Sequence, residues 1–332
     1  MIRFGIIGCG AITENSYLPA FEKSRTVQLT CLVDSDESRI SSLGRGLDLD
    51  YAGQDVEAIT DHVDAVIIAV PNYLHHSIAR TFLEKYKHIL CEKPVTTTVE
   101  DCENLLQMAN SNALIFTVGH VRRFYPAVKK IKEIVAENIL GSLIAFDFRE
   151  GTVFSWPTVS GYIFDKEKAG GGVLMDIGVH LLDLLLWWLD DEPVDVDYAD
   201  DALGGMEAFA DINMTFSRGV HGRIRLSRLS VLRNSYSLRF EKGEVQWSPF
   251  NPGSLYIRRG QSKPEILAFK NENPTLAMLS DFSAAVGSKK KPLVTLEEAL
   301  RSLKVIHHCY RTRKSLALDW LMKERGHDDC TR

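Results

Sequence analysis

Three residues have side chains that could hold or move a proton: Lys93, Asp176 and His180. Lys93 follows the apolar run Ile89-Leu90-Cys91 and precedes Pro94. Proline ends a central strand, so Lys93 falls at the carboxyl end of a sheet strand, where open α/β sheets bind ligands. A partly buried amine there can do acid/base or charge-stabilising work; a surface lysine at a strand end is the plainer alternative. Asp176 and His180 lie four apart in AGGGVLMDIGVH, after three glycines and on one helix face. A carboxylate and an imidazole flanked by apolar residues need a reason to be there. A general base oriented by Asp176 is one, two metal ligands lacking an evident third is another, and a satisfied ion pair is the structural alternative. Asp183 falls on a neighbouring face and reads as structural.

A second group would hold a nucleotide. Gly8-Cys9-Gly10-Ala11-Ile12-Thr13 joins a strand to a helix. Gly8 permits a tight turn and Gly10 close approach to a pyrophosphate on the helix N-terminus. Thr13 replaces the usual third glycine or alanine. Asp34 ends the second strand at the distance expected of an acidic ribose ligand, and such a group repels a 2′-phosphate. NAD is therefore expected, with NADP possible through Ser35 and Arg39; a solvated turn at Asp34-Ser35-Asp36 is the plain alternative. Ala69-Val70-Pro71-Asn72-Tyr73-Leu74-His75-His76 ends a buried strand, and Asn72 is expected to cap the next helix. Adjacent histidines point about 100° apart and rarely share an ion, so no metal is expected. The cofactor contacts expected are Gly8, Gly10, Ala11, Ile12, Asp34, Ser35, Arg39, Ala69, Pro71, Asn72, His75, Glu92 and Lys93.

Gly119-His120-Val121-Arg122-Arg123-Phe124 falls at a junction. Its arginines would either hold a polar or anionic substrate or pair between domains. The basic stretch Arg218–Arg239 is read as a solvated sheet face or subunit interface rather than a phosphate site. Trp156, Tyr162, Phe164 and Arg123 are candidate pocket walls.

Alternating apolar runs and helical patterns over residues 1–121 predict a doubly wound parallel sheet. The strands expected are Arg3–Gly8, Val27–Val33, Ala65–Val70, His88–Cys91 and Ala113–Val118, with a helix broken near Pro19. Residues 122–332 form the second predicted domain, which the family resemblance given below assigns to substrate and oligomer contacts. Longer period-2 runs from Ile144 to Arg258 there predict a large, mainly antiparallel sheet. Helices are expected at Ala127–Glu137, Gly172–Leu189 and Thr295–Thr312. The acidic run Asp190–Asp201 reads as an exposed loop.

A chain of 332 residues suits two domains. Its 45% hydrophobic content and net charge of −5 fit a globular protein with no strongly basic nucleic-acid footprint. The apolar run Leu181–Leu189 is short for a bilayer and carries Asp183. Six scattered cysteines, with no signal-like start, point to a reducing cytoplasm.

In order along the chain, GCGAIT, VDSD, AVPNYLHH, CEKPV, GHVRRF, AGGGVLMDIGVH and PLVTLEEALRSLKVI resemble the Gfo/Idh/MocA oxidoreductases. The resemblance implies a Rossmann domain followed by an α/β domain with an open sheet, often used for dimer or tetramer contacts. It implies Lys93, Asp176 and His180 as the catalytic set. Substrate contacts are then expected from Lys93, His120, Arg123, Trp156, Asp176 and His180; His120 stands where an aromatic is common. The expected activity is hydride transfer between nicotinamide and a hydroxyl or keto carbon of a sugar, cyclitol or sugar derivative. The rival expectations are an NAD-dependent glycoside-cleaving enzyme and a catalytically silent dinucleotide sensor.

Overall fold

The computed structural model describes residues 1–155, 157, 161–270, 272–288 and 290–316. The first layer is a six-stranded parallel sheet of β1 (Ile2–Ile7), β2 (Val27–Val33), β3 (Tyr51–Gly53), β4 (Ala65–Ile68), β5 (His88–Cys91) and β6 (Phe116–Val118). Its order is β3-β2-β1-β4-β5-β6, so the winding reverses between β1 and β4. Side chains of β4 are buried on both faces, as strands covered by helices on both sides require. Helices α1 (Leu18–Lys23), α2 (Glu37–Leu43), α3 (His75–Glu84) and α4 (Val99–Ser111) connect these strands. The helix expected to break near Pro19 instead runs on through it: a π-helical turn, Thr13–Tyr17, leads directly into α1, and Pro19 lies in the first turn of α1. The strand expected over Ala113–Val118 begins only at Phe116, because Ala113 has φ 52° in the turn leaving α4. The three-residue β3 is too short to show a periodicity in sequence.

After α5 (Pro126–Ala136) comes β7 (Leu143–Gly151), the middle of a nine-stranded mixed sheet. The short α6 (Lys166–Ala169), then α7 (Val179–Leu189), precede β8 (Pro193–Asp200) and the remaining strands. These are β9 (Phe209–Phe216), β10 (His221–Ser227), β11 (Ser235–Phe240), β12 (Gly243–Trp247), β13 (Ser254–Arg259), β14 (Glu265–Ala268) and β15 (Lys314–Ser315). The order is β14-β13-β12-β11-β7-β10-β9-β8-β15; only β7–β10 and β8–β15 run parallel. Phe146, Phe148, Ile224, Leu226, Tyr236 and Leu238 fill the inner face. Asp147, Arg149, Asp211 and Arg223 pair on the outer face.

Two departures from expectation have physical reasons. The acidic run Asp190–Asp201 is not a loop: most of it is β8, with Tyr198 and Asp200 buried and Asp195 and Asp197 outward. Its alternation was hidden by the number of carboxylates. Then α8 (Pro274–Ser288), absent from the sequence reading, crosses back onto the parallel layer, where Phe282 meets Phe4 at 5.5 Å between ring centroids. The last helix, α9 (Leu296–Arg311), starts with a Thr295/Glu298 capping box and packs on α4 and α7.

By length and composition, Lys166–Leu189 is apolar enough to cross a membrane, but 83% of its apolar window is buried inside the fold. Buried nearly all round, α7 is the central helix between the large sheet, α5 and α9. The five described cysteines are buried and unpaired.

Candidate active site

A cavity of about 950 Å³ runs along the carboxyl ends of β1, β2, β4 and β5 and continues under the start of α7. All thirteen cofactor contacts expected from sequence line it, as do Asp176 and His180.

The glycine loop is shaped by close approach. Gly8 has φ +104°, and a Cβ there would lie 2.2 Å from the Ala69 carbonyl oxygen, so the loop touches the end of β4. A Cβ at Gly10 would meet nothing within 4 Å, which leaves open space on the cavity side for a pyrophosphate. Thr13 does not loosen the loop: its hydroxyl donates to the Gly8 carbonyl at 2.6 Å. The Asp34 carboxylate accepts from the Cys9 N–H at 2.6 Å and the Asp36 N–H at 2.9 Å. It is thereby held at the cavity wall where a ribose would be met. Arg39 donates to the Cys9 carbonyl at 2.8 Å and pairs with Glu14 at 2.8 Å, which ties it to the loop. Open space at Gly10 and a fixed carboxylate at Asp34 fit a dinucleotide.

Asn72 does not cap its helix. Its amide donates to the Ala169 carbonyl at 2.8 Å, and its carbonyl oxygen faces the Tyr162 hydroxyl at 3.4 Å, so it joins the two layers across the cavity. His75 is buried with its ring nitrogens at the Pro94 and Val70 carbonyls, 2.8 and 2.9 Å away, and burial lowers its pKa. It ties the ends of β4 and β5 together. His76 turns away to Asp101 and Asn104. Among the described residues no group of His, Cys, Asp and Glu is placed to hold a metal.

The reactive end is built where β5 meets the helix preceding α7. Glu92 is half-buried at the cavity wall, and desolvation raises its pKa against the opposing effects of Tyr17 and Lys93. Tyr17 donates to it at 2.7 Å. After the cis Lys93–Pro94 peptide bond's first residue leaves β5, the Lys93 ammonium donates to the Asp176 carboxylate at 3.0 Å and the Asp176 carbonyl at 2.9 Å. The other Asp176 oxygen accepts from Arg228 at 2.6 Å. Burial alone would raise the Asp176 carboxyl, but Lys93 and Arg228 outweigh it and hold the group down to about 2. Asp176 lies in a π-helical turn, Leu174–Gly178, whose start is fixed by Glu207 accepting from Gly172 and Leu174 N–H groups at 2.9 and 3.1 Å. His180 opens α7 and lines the cavity; its Nδ1 is buried with no hydrogen-bond partner. Burial, then the charges of Arg122 and Lys93, push its pKa well below the ordinary imidazole value. A neutral imidazole beside an ammonium can take a proton from a hydroxyl that the ammonium polarises.

Several expected contacts fall elsewhere. Arg123 is 1% exposed and does not line the cavity. Its guanidinium is consumed by Asp183 (2.7 and 3.0 Å), Glu298 and the Leu293 carbonyl, so it is a pairing residue of the junction and not a substrate ligand. His120, also 1% exposed, stands behind His180, with ring centroids 6.1 Å apart and Nε2 3.7 Å from Asp183. Burial lowers it to about 4. Asp176 makes no hydrogen bond to His180: both its oxygens are taken by cations. Trp156 lies outside the described residues. Phe164 is 62% exposed and packs on Phe154, whereas Tyr162 lines the cavity.

Among the cavity residues that the sequence analysis did not single out, Tyr17 and Arg228 touch the reactive group. Arg228 belongs to the stretch Arg218–Arg239 read as a solvated face or interface, yet it is buried in the cavity, continuing the inward parity of Ile224 and Leu226.

A doubly wound sheet with this glycine loop, the Asp34 carboxylate at its rim and Lys93 and His180 lining one cavity fits a nicotinamide-dinucleotide-dependent oxidoreductase. The comparisons with known proteins agree. Residues 2–120 match the oxidoreductase family with an NAD-binding Rossmann fold, and residues 128–246 match the GFO/IDH/MocA C-terminal domain; the chain belongs to that family. It is 27% identical over 262 residues to a D-xylose 1-dehydrogenase [NADP(+)] of Haloarcula marismortui, covering 75% of this chain and 72% of that one. It is 23% identical to a 1,5-anhydro-D-fructose reductase of Ensifer adhaerens, covering 91% and 93%. The aldose-aldose oxidoreductase of Caulobacter crescentus, complexed with glycerol, shares the fold with a TM-score of 0.86, 24% identity and coverage of 94% and 97%.

Proposed function

We propose that this protein interconverts a secondary alcohol and a ketone, or an aldose and its lactone, on a sugar, cyclitol or sugar derivative. The observation that carries this is the meeting of Lys93, from the dinucleotide-binding layer, with the helix bearing Asp176 and His180 in one cavity. Bound nicotinamide would supply the hydride acceptor or donor. Two of the three Lys93 donors are fixed on Asp176; the third is free to bond the reacting oxygen and offset its developing negative charge. In oxidation the neutral His180 takes the hydroxyl proton, and in reduction it returns one. Asp176 acts on Lys93, not on His180: it anchors the ammonium through its carboxylate and its carbonyl. Relatives named for xylose and anhydrofructose support the carbohydrate class, and Asp34 supports NAD over NADP. As the family resemblance implies, the chain forms a homodimer or homotetramer through the nine-stranded sheet, which light scattering on the purified chain tests.

A panel of sugars, inositols, polyols and nucleotide sugars, assayed with NAD and with NADP by nicotinamide absorbance, tests the reading. It predicts stoichiometric cofactor turnover with at least one carbohydrate. Product formed without net cofactor reduction would indicate glycoside cleavage instead.

A further inference from the structure

Arg228 is placed more rigidly than a solvated arginine needs to be. Its N–H donates to the Ala208 carbonyl at 2.8 Å, and its own carbonyl accepts from the Phe154 N–H at 3.1 Å. The side chain is 9% exposed and lines the cavity. Phe154 stacks on the guanidinium at 5.2 Å. One terminal nitrogen holds Asp176 at 2.6 Å, while Nε is buried with no hydrogen-bond partner. Lys93 grips the other Asp176 oxygen. One carboxylate therefore bridges two cations that arrive from different sheets.

We propose that Arg228 is a positioning residue of the reaction centre: by fixing the Asp176 carboxylate, it fixes the direction of the Lys93 ammonium. Lysine is a point charge on a flexible stem, whereas the arginine fork is planar and stiff. With only Lys93 attached, the carboxylate is free to turn, and the ammonium follows it. With Arg228 holding the second oxygen and Phe154 holding Arg228, two Lys93 donors stay on Asp176 and the third stays directed at the cavity. The inference rests on the reading that Lys93 bonds the reacting oxygen. Asp176 faces Lys93 at the β5 end, Arg228 at the β10 end and Tyr162 from the 162–164 turn.

The test compares Arg228→Ala, Arg228→Lys and Asp176→Asn on a carbohydrate that the wild-type enzyme turns over. Arg228→Ala is expected to lower kcat about 100-fold, the usual penalty for a misplaced catalytic group, with KM and NADH affinity within about twofold. Guanidinium chloride at low millimolar concentration is expected to restore at least about tenfold of that loss in Arg228→Ala and none in Asp176→Asn; Arg228→Lys recovers only part. Retention of more than half of kcat overturns the proposal. So does a raised KM at unchanged kcat, or failure of guanidinium to rescue a variant that binds NADH normally. If no carbohydrate is turned over, the oxidoreductase reading fails first, and carboxyl ¹³C NMR on aspartate-labelled apoprotein decides the inference. Arg228→Met then moves the Asp176 titration upward by about one pH unit or more, because one of two cations is gone; an unmoved titration overturns it.

Discussion

Asp176→Asn is the perturbation whose size the structure sets most directly. Its carboxyl is held at about 2 against an ordinary value of 3.8, burial opposing and the Lys93 and Arg228 charges prevailing. At about 1.4 kcal/mol per pH unit, the ionised form contributes about 2.5 kcal/mol to folding. The sign follows from the depressed value. The contribution is complete above the unfolded-state value near 4, and it is lost as pH falls through the folded value near 2. Urea unfolding of wild type and Asp176→Asn from pH 7 down to pH 3 measures it. The stability gap between them is expected to stay constant from pH 7 to about 5, then to shrink by roughly 1 kcal/mol by pH 3. A gap that widens on acidification, or one that is flat throughout, would refute the account of Asp176 as an anion bridging Lys93 and Arg228.

Arg123→Met leaves Asp183 buried beside a neutral His120, so it is expected to destabilise the fold by about 3–5 kcal/mol; calorimetry checks this. Because Arg123 does not reach the cavity, KM of the folded fraction stays within about twofold. Asp34→Ser is expected to weaken NAD binding about tenfold and to narrow the preference over NADP, measured by fluorescence titration with both reduced cofactors. Unchanged discrimination would show that Asp34 only braces the glycine loop. Tyr17→Phe removes the hydrogen bond to the half-buried Glu92 carboxylate, at a cost of about 1 kcal/mol, and thermal unfolding should register it.

Much of this arrangement was legible from local pattern. The apolar runs of β1, β2, β4 and β5 announce a buried parallel sheet, and the chain breaks that follow them place Gly8, Asp34, Asn72 and Lys93 at one edge. Period-2 alternation announces the second sheet, though carboxylates concealed β8 and small residues concealed α8. Pairings over long separations were not legible. Arg123 meets Asp183 across 60 positions, and Asp176 meets Lys93 across 83 and Arg228 across 52. Nothing local tells an arginine bound for a buried ion pair from one bound for a ligand. For the same reason helix spacing suggested that Asp176 serves His180, whereas the nearer cations claim it.

The most direct test of the account is turnover by Lys93→Met and His180→Ala beside wild type, with NADH binding followed by fluorescence in the same preparations. Each variant is expected to lose about 10²–10⁴ in kcat while binding NADH within about threefold of wild type. Near-normal turnover in either variant would contradict the assignment of Lys93 and His180 to the reacting oxygen.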